Sequence, residues 1–171
     1  MNKEQIAQRL EETWLSLGDG LYSYVYSILK SSADTEDVLQ NVFIRLARSF
    51  ENDRSISNLR PYLYKMARNE AIRQMEKLKK LPVPSEDLDS SSIEGSQLLI
   101  EEERDISQQL KSLPSEQSDV IILKLFHNLT FKEVAKITET TLKTVASRYR
   151  YGLQKLKGII TGIKTKEKYH D

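Results

Sequence analysis

The stretch Leu129–Lys157, LTFKEVAKITETTLKTVASRYRYGLQKLK, holds the pattern that decides how this chain folds. Thr130 followed three residues later by Glu133 forms a capping box, so a helix is predicted to begin there. Residues 137–140 end this short helix, and Thr141 is predicted to cap a second one. A short helix, a turn of three or four residues and a second helix have the layout of a helix-turn-helix.

The second helix of this pair has one apolar and one polar face. The residues expected to face the core recur at helical spacing: Leu142, Val145, Tyr149 and Leu153. The residues left on the outer face are basic or hydroxylated: Lys143, Thr144, Ser147, Arg148 and Arg150. In a helix-turn-helix such a helix enters the major groove of DNA. A solvated pair of amphipathic helices with lysines would show the same pattern, so both interpretations stay open on these residues alone.

The composition indicates a helical protein without disulfides. The 171 residues have room for one ordinary domain or two small ones. Only 6 glycines and 4 prolines favour helices over a turn-rich sheet fold, and the lack of cysteine excludes thiolate metal sites. No apolar run approaches the roughly 20 residues of a membrane span, and the polar start MNKEQIAQRLEE is unlike a signal peptide. A cytoplasmic protein without membrane insertion is therefore expected.

Catalytic and metal-binding motifs are not found in the sequence. His127 and His170 lie too far apart in the chain to suggest a metal pair. The chain has no glycine-rich phosphate loop and no nucleophile elbow. We therefore expect no catalysis, no metal and no other cofactor.

The charge is distributed unevenly along the chain, although the net charge is only +1. Residues 1–81 carry 13 basic and 11 acidic side chains, residues 82–105 carry 1 and 8, and residues 106–171 carry 12 and 6. An acidic middle thus separates a mildly basic part from a clearly basic part. Residues 82–97, PVPSEDLDSSSIEGSQ, contain too few apolar side chains to fold alone, so a flexible acidic linker is predicted there.

Helices are predicted on both sides of this linker. Before it, residues 6–17 and 21–29 form two helices that are split by Gly18-Asp19-Gly20. Their expected core residues are Trp14, Leu17, Tyr22, Val25 and Ile28. After the linker, residues 98–110 are predicted to be helical and Leu113-Pro114-Ser115 opens another helix. Its expected core residues are Val120, Ile121, Leu123, Leu125 and Phe126.

The helix that follows Asp34 has a buried face and a solvated face. Asp34 is predicted to cap it. The residues expected to be buried are Val38, Leu39, Val42, Phe43, Leu46 and Ala47. The residues expected on the outside are Asp37, Gln40, Asn41, Arg45 and Arg48. Residue chemistry alone explains this face as capping acids and a solvated surface.

The longest helix of the first part is predicted over residues 59–80, after a cap at Asn58 and a polar loop at 50–57. Pro61 falls in its first turn, where a missing N–H is tolerated. The residues expected inside are Leu63, Met66, Ala67 and Ile72. The residues expected outside are Arg60, Tyr64, Lys65, Arg68, Asn69, Arg73 and Lys77. Basic residues with aromatic residues among them suit single-stranded nucleic acid, but a solvated face with Tyr62 and Tyr64 half-buried fits equally well.

Three stretches of the chain together resemble the extracytoplasmic-function sigma factors, the small two-domain initiation factors of bacterial transcription. They are DTEDVLQNVFIRLARSF at 34–50, NLRPYLYKMARNEAIRQMEK at 58–77 and LPSEQSDVIILKLFHNLTFKEVAKITETTLKTVASRYRYGLQKL at 113–156. They follow one another in the family's order and at its spacing, and they cover about half the chain.

The resemblance implies an all-α fold of two small helical domains joined by the acidic flexible linker. Residues 1–81 would form a domain like sigma region 2, and residues 98–171 a domain like sigma region 4 that contains the helix-turn-helix, with the linker at 82–97. The implied partners are core RNA polymerase and promoter DNA, and an anti-sigma factor is a further partner that the family would allow.

The resemblance also implies roles for individual residues. Docking on the clamp of core polymerase would fall to Asp37, Gln40 and Asn41. The segment 51–80 is similar to the part that opens the promoter and binds the minus-ten element as a single strand, which implies contacts by Tyr62, Tyr64, Arg68, Asn69 and Arg73. The last helix is similar to the reader of duplex minus-thirty-five DNA, which implies contacts by Lys143, Thr144, Ser147, Arg148 and Arg150.

Three positions depart from the pattern of the family. The family usually has an acid where Asn41 stands, so this polymerase contact is expected to be weaker or rearranged. It often has glycine in the turn where this chain has Glu139, which is strained if the position needs a positive φ. It usually has a basic residue where this chain has Ala146, which removes one DNA contact.

A sigma factor is the function that joins all three stretches, and two alternatives stay open. A stand-alone helix-turn-helix regulator would leave residues 34–80 unexplained. A polymerase-binding, sigma-like protein without promoter recognition is suggested only by Glu139 and Ala146.

Overall fold

A computed structural model describes residues 2–52, 56–80 and 109–167 of the chain, and the side chains as far as residue 158. This described part contains helices and no strands. Its principal helices are α1 Lys3–Leu29, α2 Ser32–Glu51, α3 Leu59–Lys80, α4 Ser115–Ile121, α5 Phe131–Thr138 and α6 Leu142–Glu167, and a π-helical segment Ile122–Phe126 continues α4. The all-α fold class is therefore confirmed.

The chain groups into two units. The first unit holds α1, α2 and α3 together with Lys132–Glu139, which comprises α5 without its first residue and the residue that follows it. The second unit holds α4, the π-helical segment, Phe131 and α6. The expected linker at 82–97, and nearly all of the expected helix at 98–110, lie outside the described residues, so these two expectations stay predictions.

The first helix, α1, is continuous, so the predicted break at residues 18–20 is wrong. Asn2 caps its start: the Asn2 side chain accepts a hydrogen bond from the Gln5 amide, and the Gln5 side chain accepts one from the Asn2 amide. Gly18 costs the helix about 1 kcal/mol relative to alanine. Its bare backbone, however, lets the Trp14 ring lie so close that a Cβ at Gly18 would be 3.0 Å from that ring. Packing therefore outweighs the local preference to break the helix.

The expected core of α1 is confirmed at Val25 and wrong at Trp14. Trp14 is 46% exposed, and its ring packs edge-on against Phe43 of α2 with the ring centroids 5.2 Å apart. Three other expected core residues are only half-buried, namely Leu17, Tyr22 and Ile28. The deepest side chains of α1 are instead Leu21, Tyr24 and Val25.

The second helix, α2, begins before the predicted position, because its N-cap is Ser31 and not Asp34. The Ser31 hydroxyl accepts a hydrogen bond from the Asp34 amide over 3.3 Å. Asp34 lies inside the first turn, and its carboxylate accepts a hydrogen bond of 2.8 Å from the Gln74 amide group. This residue therefore ties α2 to α3 and does not cap its own helix.

The core of the first unit forms where α1, α2 and α3 face one another. Its buried residues on α2 and α3 are Val38, Leu39, Val42, Leu46, Phe50, Leu63, Tyr64, Ala67 and Ala71. The predicted inner faces are confirmed apart from four half-buried residues, Phe43, Ala47, Met66 and Ile72. Phe50 belongs to α2 and not to the predicted polar loop, and the Arg9 guanidinium lies 4.5 Å from the centre of its ring.

In the second unit, α4 continues into a π-helical turn, which corrects part of the expected core. The amide of His127 donates to the carbonyl of Ile122, five residues earlier, over 3.3 Å. The wider turn rotates the following side chains around the helix axis. As a result Leu125 and Phe126 are exposed, while the other expected core residues stay buried, namely Val120, Ile121 and Leu123.

The two helices of the helix-turn-helix motif follow the predicted pattern at most positions. On α5, Val134 and Ile137 are buried, and Ala135 is half-buried. The capping box of Thr130 and Glu133 stays a prediction, although α5 does begin directly after Thr130.

The last helix, α6, is capped by Thr141 as predicted, because the Thr141 hydroxyl accepts a hydrogen bond of 3.1 Å from the Thr144 amide. Val145 is buried. Later in α6, the side chains of Tyr149, Leu153 and Leu156 pack on an apolar cluster that consists of Leu110, Leu113 and Ile121. Leu142 is 47% exposed, so its expected place in the core is wrong. It lies in the first turn of α6, ahead of the turns that meet this cluster.

Candidate docking and nucleic-acid interfaces

The outer face of α2 carries the residues that the sequence assigns to polymerase docking. Asp37, Gln40 and Asn41 are all exposed, and their spacing places them on one side of the helix. Ile44 lies one turn further along the same side and is 50% exposed. Ile44 was not among the residues expected at this surface, although the sequence shows an apolar residue seven positions after Asp37 on this polar face.

The α3 helix presents basic and amide side chains beside Tyr62. Tyr62, Arg68 and Asn69 are half-buried, and the Tyr62 hydroxyl lies 3.3 Å from the hydroxyl of Ser49 on α2. Tyr62 therefore has part of its ring at the surface and its polar end tied to the neighbouring helix. Such a ring can stack on a base without losing its orientation.

The expectation that Tyr64 faces outward is wrong. Tyr64 is 2% exposed, and its ring lies 5.5 Å from that of Tyr24 in the core. Burial raises the pKa of the Tyr64 hydroxyl above its ordinary value, while the charge and hydrogen bond of Arg60 act in the opposite direction. A side chain in this position supports the surface of α3 from below.

Arg73 is held at the surface of α3 by the carboxylate of Glu70 on the same helix. The carboxylate of Glu70 is buried and lies 3.3 Å from the Arg73 guanidinium and 3.2 Å from the Arg45 guanidinium of α2. Two cations around one buried carboxylate satisfy its charge. Arg73 remains 54% exposed, so its outer N–H groups face solvent.

The basic face expected on α6 lies on one helix but is not uniformly exposed. Lys143 and Arg150 are exposed, whereas Thr144, Ser147 and Arg148 are half-buried. The Arg150 guanidinium lies 4.9 Å from the centre of the Tyr151 ring, so part of its surface rests on the ring.

The half-buried residues of this face make contacts within the protein. The Thr144 hydroxyl lies 2.8 Å from that of Thr141, and the Ser147 hydroxyl donates to the Thr144 carbonyl over 3.0 Å. The Arg148 guanidinium lies 3.4 Å from the carboxylate of Glu116 at the start of α4. Arg148 is thus tethered to a second helix.

The turn of the helix-turn-helix contains the strained residue that the sequence suggested. Glu139 has φ 54°, a conformation that favours glycine. Its carboxylate lies 2.6 Å from the Lys65 ammonium group of α3. The hydrogen bond and the charge of Lys65 lower the pKa of Glu139. Ala146, the other departure in this motif, is exposed on α6 and offers a methyl group where a cation was expected.

Within the described residues there is no group of three or more His, Cys, Asp and Glu side chains that could hold a metal ion. His127 is buried beside the π-helical segment. No helix in the described ranges is both long enough and apolar enough to cross a membrane.

Comparison with known protein families gives two matches that follow one another along the chain without overlapping. The model of Sigma-70 region 2 matches residues 14–81, and the model of Sigma-70, region 4 matches residues 103–156. The first match covers α1 from residue 14 onward together with α2 and α3, and the second covers α4, α5 and α6 as far as residue 156.

Relatives with curated functions match along most of their length. The ECF RNA polymerase sigma factor SigX of Bacillus subtilis (strain 168) is 29% identical over 156 residues, which span 81% of this chain and 80% of the relative. The ECF RNA polymerase sigma-E factor of Escherichia coli (strain K12) is 30% identical over 132 residues, which span 68% of this chain and 69% of the relative.

Among solved structures, the sigma factor RpoE in complex with the anti-sigma factor NepR from Bartonella quintana is similar in fold. The TM-score is 0.69 at 19% sequence identity, and the match covers 90% of this chain and 98% of that chain. CnrH in complex with the cytosolic domain of CnrY gives a TM-score of 0.68 at 18% identity and covers 93% of this chain and 94% of that one.

Proposed function

This chain belongs to the extracytoplasmic-function sigma factors, and on that premise we propose how its residues divide the work of promoter recognition. A sigma factor binds core RNA polymerase and directs it to promoters for transcription initiation. The observation that carries this function is the match of both sigma-70 regions on one chain, at residues 14–81 and 103–156. A stand-alone helix-turn-helix regulator would need only the second of these regions.

The proposed domain organisation follows the sequence. Residues 1–81 act as region 2, which docks on polymerase and melts the minus-ten element, and residues 98–171 act as region 4, which recognises the minus-thirty-five element. Residues 82–97 join them as an acidic linker, and their net negative charge supports this assignment.

The proposed polymerase-docking surface is the outer face of α2, with Asp37, Gln40 and Asn41 as polar contacts. Ile44 is added to it, because a half-exposed apolar side chain beside polar ones resembles the centre and the rim of a protein interface. Asn41 contributes a neutral amide, so the face depends on Asp37 for its negative charge.

The proposed minus-ten surface lies on α3. Tyr62 stacks on an unpaired base of the non-template strand, and Arg68, Asn69 and Arg73 hold its backbone and neighbouring base edges. Extruding a base from the stack costs a few kcal/mol, which stacking and these contacts must offset. Tyr64 supports this surface from the core, because its burial leaves no ring face for a base.

The proposed minus-thirty-five surface is the outer face of α6, formed by Lys143, Thr144, Ser147, Arg148 and Arg150. Arg148 is the base-recognising residue of this set, since a guanidinium can donate to two acceptors of one guanine. Lys143 and Arg150, which are exposed about two turns apart on the same side of α6, are proposed to contact phosphates. The methyl group of Ala146 lies between them and can contact a thymine methyl group.

In this proposed role the chain acts in the cytoplasm, where bacterial RNA polymerase transcribes, and it carries no catalytic activity or cofactor of its own. An anti-sigma factor is a proposed partner, because the similar sigma factor RpoE is in complex with one. Release from such a partner would then decide when the chain reaches polymerase.

The docking surface is tested by measuring the affinity of the full chain for bacterial core polymerase. Asp37→Ala, Gln40→Ala and Ile44→Ala are each expected to weaken binding by about tenfold, which corresponds to about 1.4 kcal/mol. Glu11→Ala is the matched control, because Glu11 is an exposed carboxylate on α1 and does not lie on the assigned face of α2. Equal effects of Asp37→Ala and Glu11→Ala would show that the assigned face is wrong.

A further inference from the structure

We propose that Glu116 is a positioning residue that holds Arg148 in the orientation needed for base discrimination at the minus-thirty-five element. Glu116 has no role in the surfaces assigned above, and it lies on α4 and not on the helix that enters the groove. The inference rests on the proposed role of Arg148, and the experiment below separates the two.

The first observation is the contact itself. The Glu116 carboxylate lies 3.4 Å from the terminal Nη2 of Arg148, although the residues are 32 positions apart in the chain. The Arg148 side chain is 25% exposed and that of Glu116 is 65% exposed. The stem of Arg148 is therefore largely covered, and its charged end meets the carboxylate near the protein surface.

The second observation is that α4 and α6 approach each other closely beside this contact. Gly152 lies one turn after Arg148 on the same side of α6. A Cβ at Gly152 would be 2.6 Å from the Ile121 side chain and 3.4 Å from the Cβ of Gln117. Glu116 thus lies beside Arg148, and Gln117 lies beside Gly152 one turn later on α6. The packing of α4 on α6 therefore keeps the Glu116 carboxylate next to Arg148.

The other cations on this face have no comparable tether to α4. Lys143 is exposed in the first turn of α6, and Arg150 rests on the ring of Tyr151, its neighbour on the same helix. A surface lysine or arginine suits phosphate contacts, which tolerate many orientations. A guanidinium that is held by a carboxylate, as that of Arg148 is by Glu116, suits hydrogen bonds to the edge of a base, which accept few orientations.

The chemistry of the guanidinium makes a tether useful. Arginine has five N–H donors in a planar fork, so one directed at Glu116 leaves the others free for the O6 and N7 atoms of a guanine. Holding the side chain in place before DNA arrives reduces the rotamer freedom that binding would otherwise remove. The same carboxylate repels phosphates, which weakens binding to DNA of any sequence. Only the first effect increases discrimination, because the repulsion lowers the affinity for selected and scrambled DNA alike.

The test uses holoenzyme assembled from bacterial core polymerase and the full chain. Wild-type holoenzyme first selects a promoter from a library with a randomised minus-thirty-five region. The discrimination ratio is then the affinity for this promoter divided by the affinity for the same promoter with a scrambled minus-thirty-five region. Glu116→Gln is expected to lower this ratio about five- to tenfold, within the range of one bidentate base contact, and to leave binding to the scrambled promoter unchanged or stronger. The matched control is Glu11→Gln, which removes one exposed carboxylate from α1 and is expected to leave the ratio unchanged.

The outcomes separate the possible roles of Glu116. An unchanged discrimination ratio in Glu116→Gln would overturn the proposal. This includes the case in which the affinities for both promoters change by the same factor, since the carboxylate would then act only as a charge. Arg148→Ala is expected to lose the same discrimination, and adding Glu116→Gln to it is expected to change nothing further. A further loss in the double variant would show that Glu116 acts on another residue.

Failure of the underlying assignment gives a different pattern. If Arg148→Ala keeps full discrimination, the proposed role of Arg148 is wrong, and the positioning role fails with it. If Arg148→Ala loses discrimination but Glu116→Gln keeps it, Arg148 recognises bases without help from Glu116. A purely structural role would instead lower the unfolding temperature of Glu116→Gln in proportion to its effect on DNA, whereas we expect a shift of less than about 4 °C.

Discussion

Glu139 holds a backbone conformation that a side chain disfavours, at the point where the helix-turn-helix changes direction. Its φ of 54° is in the left-handed region, where a Cβ costs about 1–2 kcal/mol. The ion pair with Lys65 is largely exposed, so it offsets little of this cost. The strain of this turn therefore comes from the Cβ of Glu139, and a glycine at this position would remove it.

Replacing this residue tests the strain directly. Glu139→Gly removes the Cβ, whereas Glu139→Ala keeps it and loses the same carboxylate, so the two variants differ only in the strained atom. We expect the glycine variant to be more stable than the alanine variant by about 1 kcal/mol in urea denaturation. Equal stability of the two variants would contradict the account of this turn.

Tyr64 gives a second prediction at the scale of a residue, because burial raises its pKa. A group whose pKa is raised by folding stabilises the folded state below the unfolded pKa, and this contribution is lost as the pH rises through the folded pKa. The unfolded pKa of tyrosine is about 10. The free energy of unfolding should therefore fall above about pH 10, and it should fall less steeply in Tyr64→Phe.

The measurement compares denaturant unfolding of the two proteins from pH 8 to pH 11. Other tyrosines and lysines titrate in both proteins, so the difference between the curves reports Tyr64. At pH 8 we expect Tyr64→Phe to be less stable by about 1 kcal/mol, because it lacks the hydrogen bond with Arg60. A difference that stays constant across the whole range would contradict a raised pKa.

At the scale of elements, Gly152 lies where α6 packs closely against α4. A Cβ at Gly152 would lie 2.6 Å from the end of the Ile121 side chain, so alanine forces this side chain or the helix to shift. We expect Gly152→Ala to destabilise the protein by about 1–3 kcal/mol in thermal unfolding, despite the better helix propensity of alanine.

Gly158 supplies the matched control on the same helix. A Cβ there would meet no atom within 4 Å, so only the propensity gain remains. Gly158→Ala is expected to raise stability by about 0.5–1 kcal/mol. If both alanine variants shift stability in the same direction, close approach at Gly152 is not the reason for its glycine.

The helical spacing of apolar residues in the sequence predicted the helices of this fold well where one face of a helix is buried. The limits of α3 were predicted at 59–80 as they are observed, and the cap at Thr141 was correct. Local rules failed where packing overrides them. The glycines of α1 suggested a break, but the helix continues through them, and Gly18 is buried next to the Trp14 ring.

The remaining differences have similar causes. The π-helical turn after α4 has no simple signal in the pattern, so Leu125 and Phe126 were expected inside and lie outside. Tyr64 was expected outside, because a tyrosine between basic residues resembles a surface aromatic. A contact such as that of Glu116 and Arg148 depends on how two distant helices pack, which periodicity does not contain.

At the scale of the whole molecule, the two matched regions assign two tasks to one chain. Region 2 at residues 14–81 and region 4 at residues 103–156 are together what distinguishes a sigma factor from a regulator that binds duplex DNA alone. The resemblance found in the sequence is confirmed by these matches and by relatives that align over most of their length.

Run-off transcription by bacterial core polymerase, with and without the purified full chain, tests the central claim most directly. The template is a pool of promoter fragments from the genome that encodes the chain. We expect discrete transcripts only when the chain is present, and we expect them to fade when Asp37→Ala and Ile44→Ala are combined. Failure of the wild-type chain to bind core polymerase at modest salt, or transcripts that are the same with and without it, would contradict the claim that this chain directs polymerase to promoters.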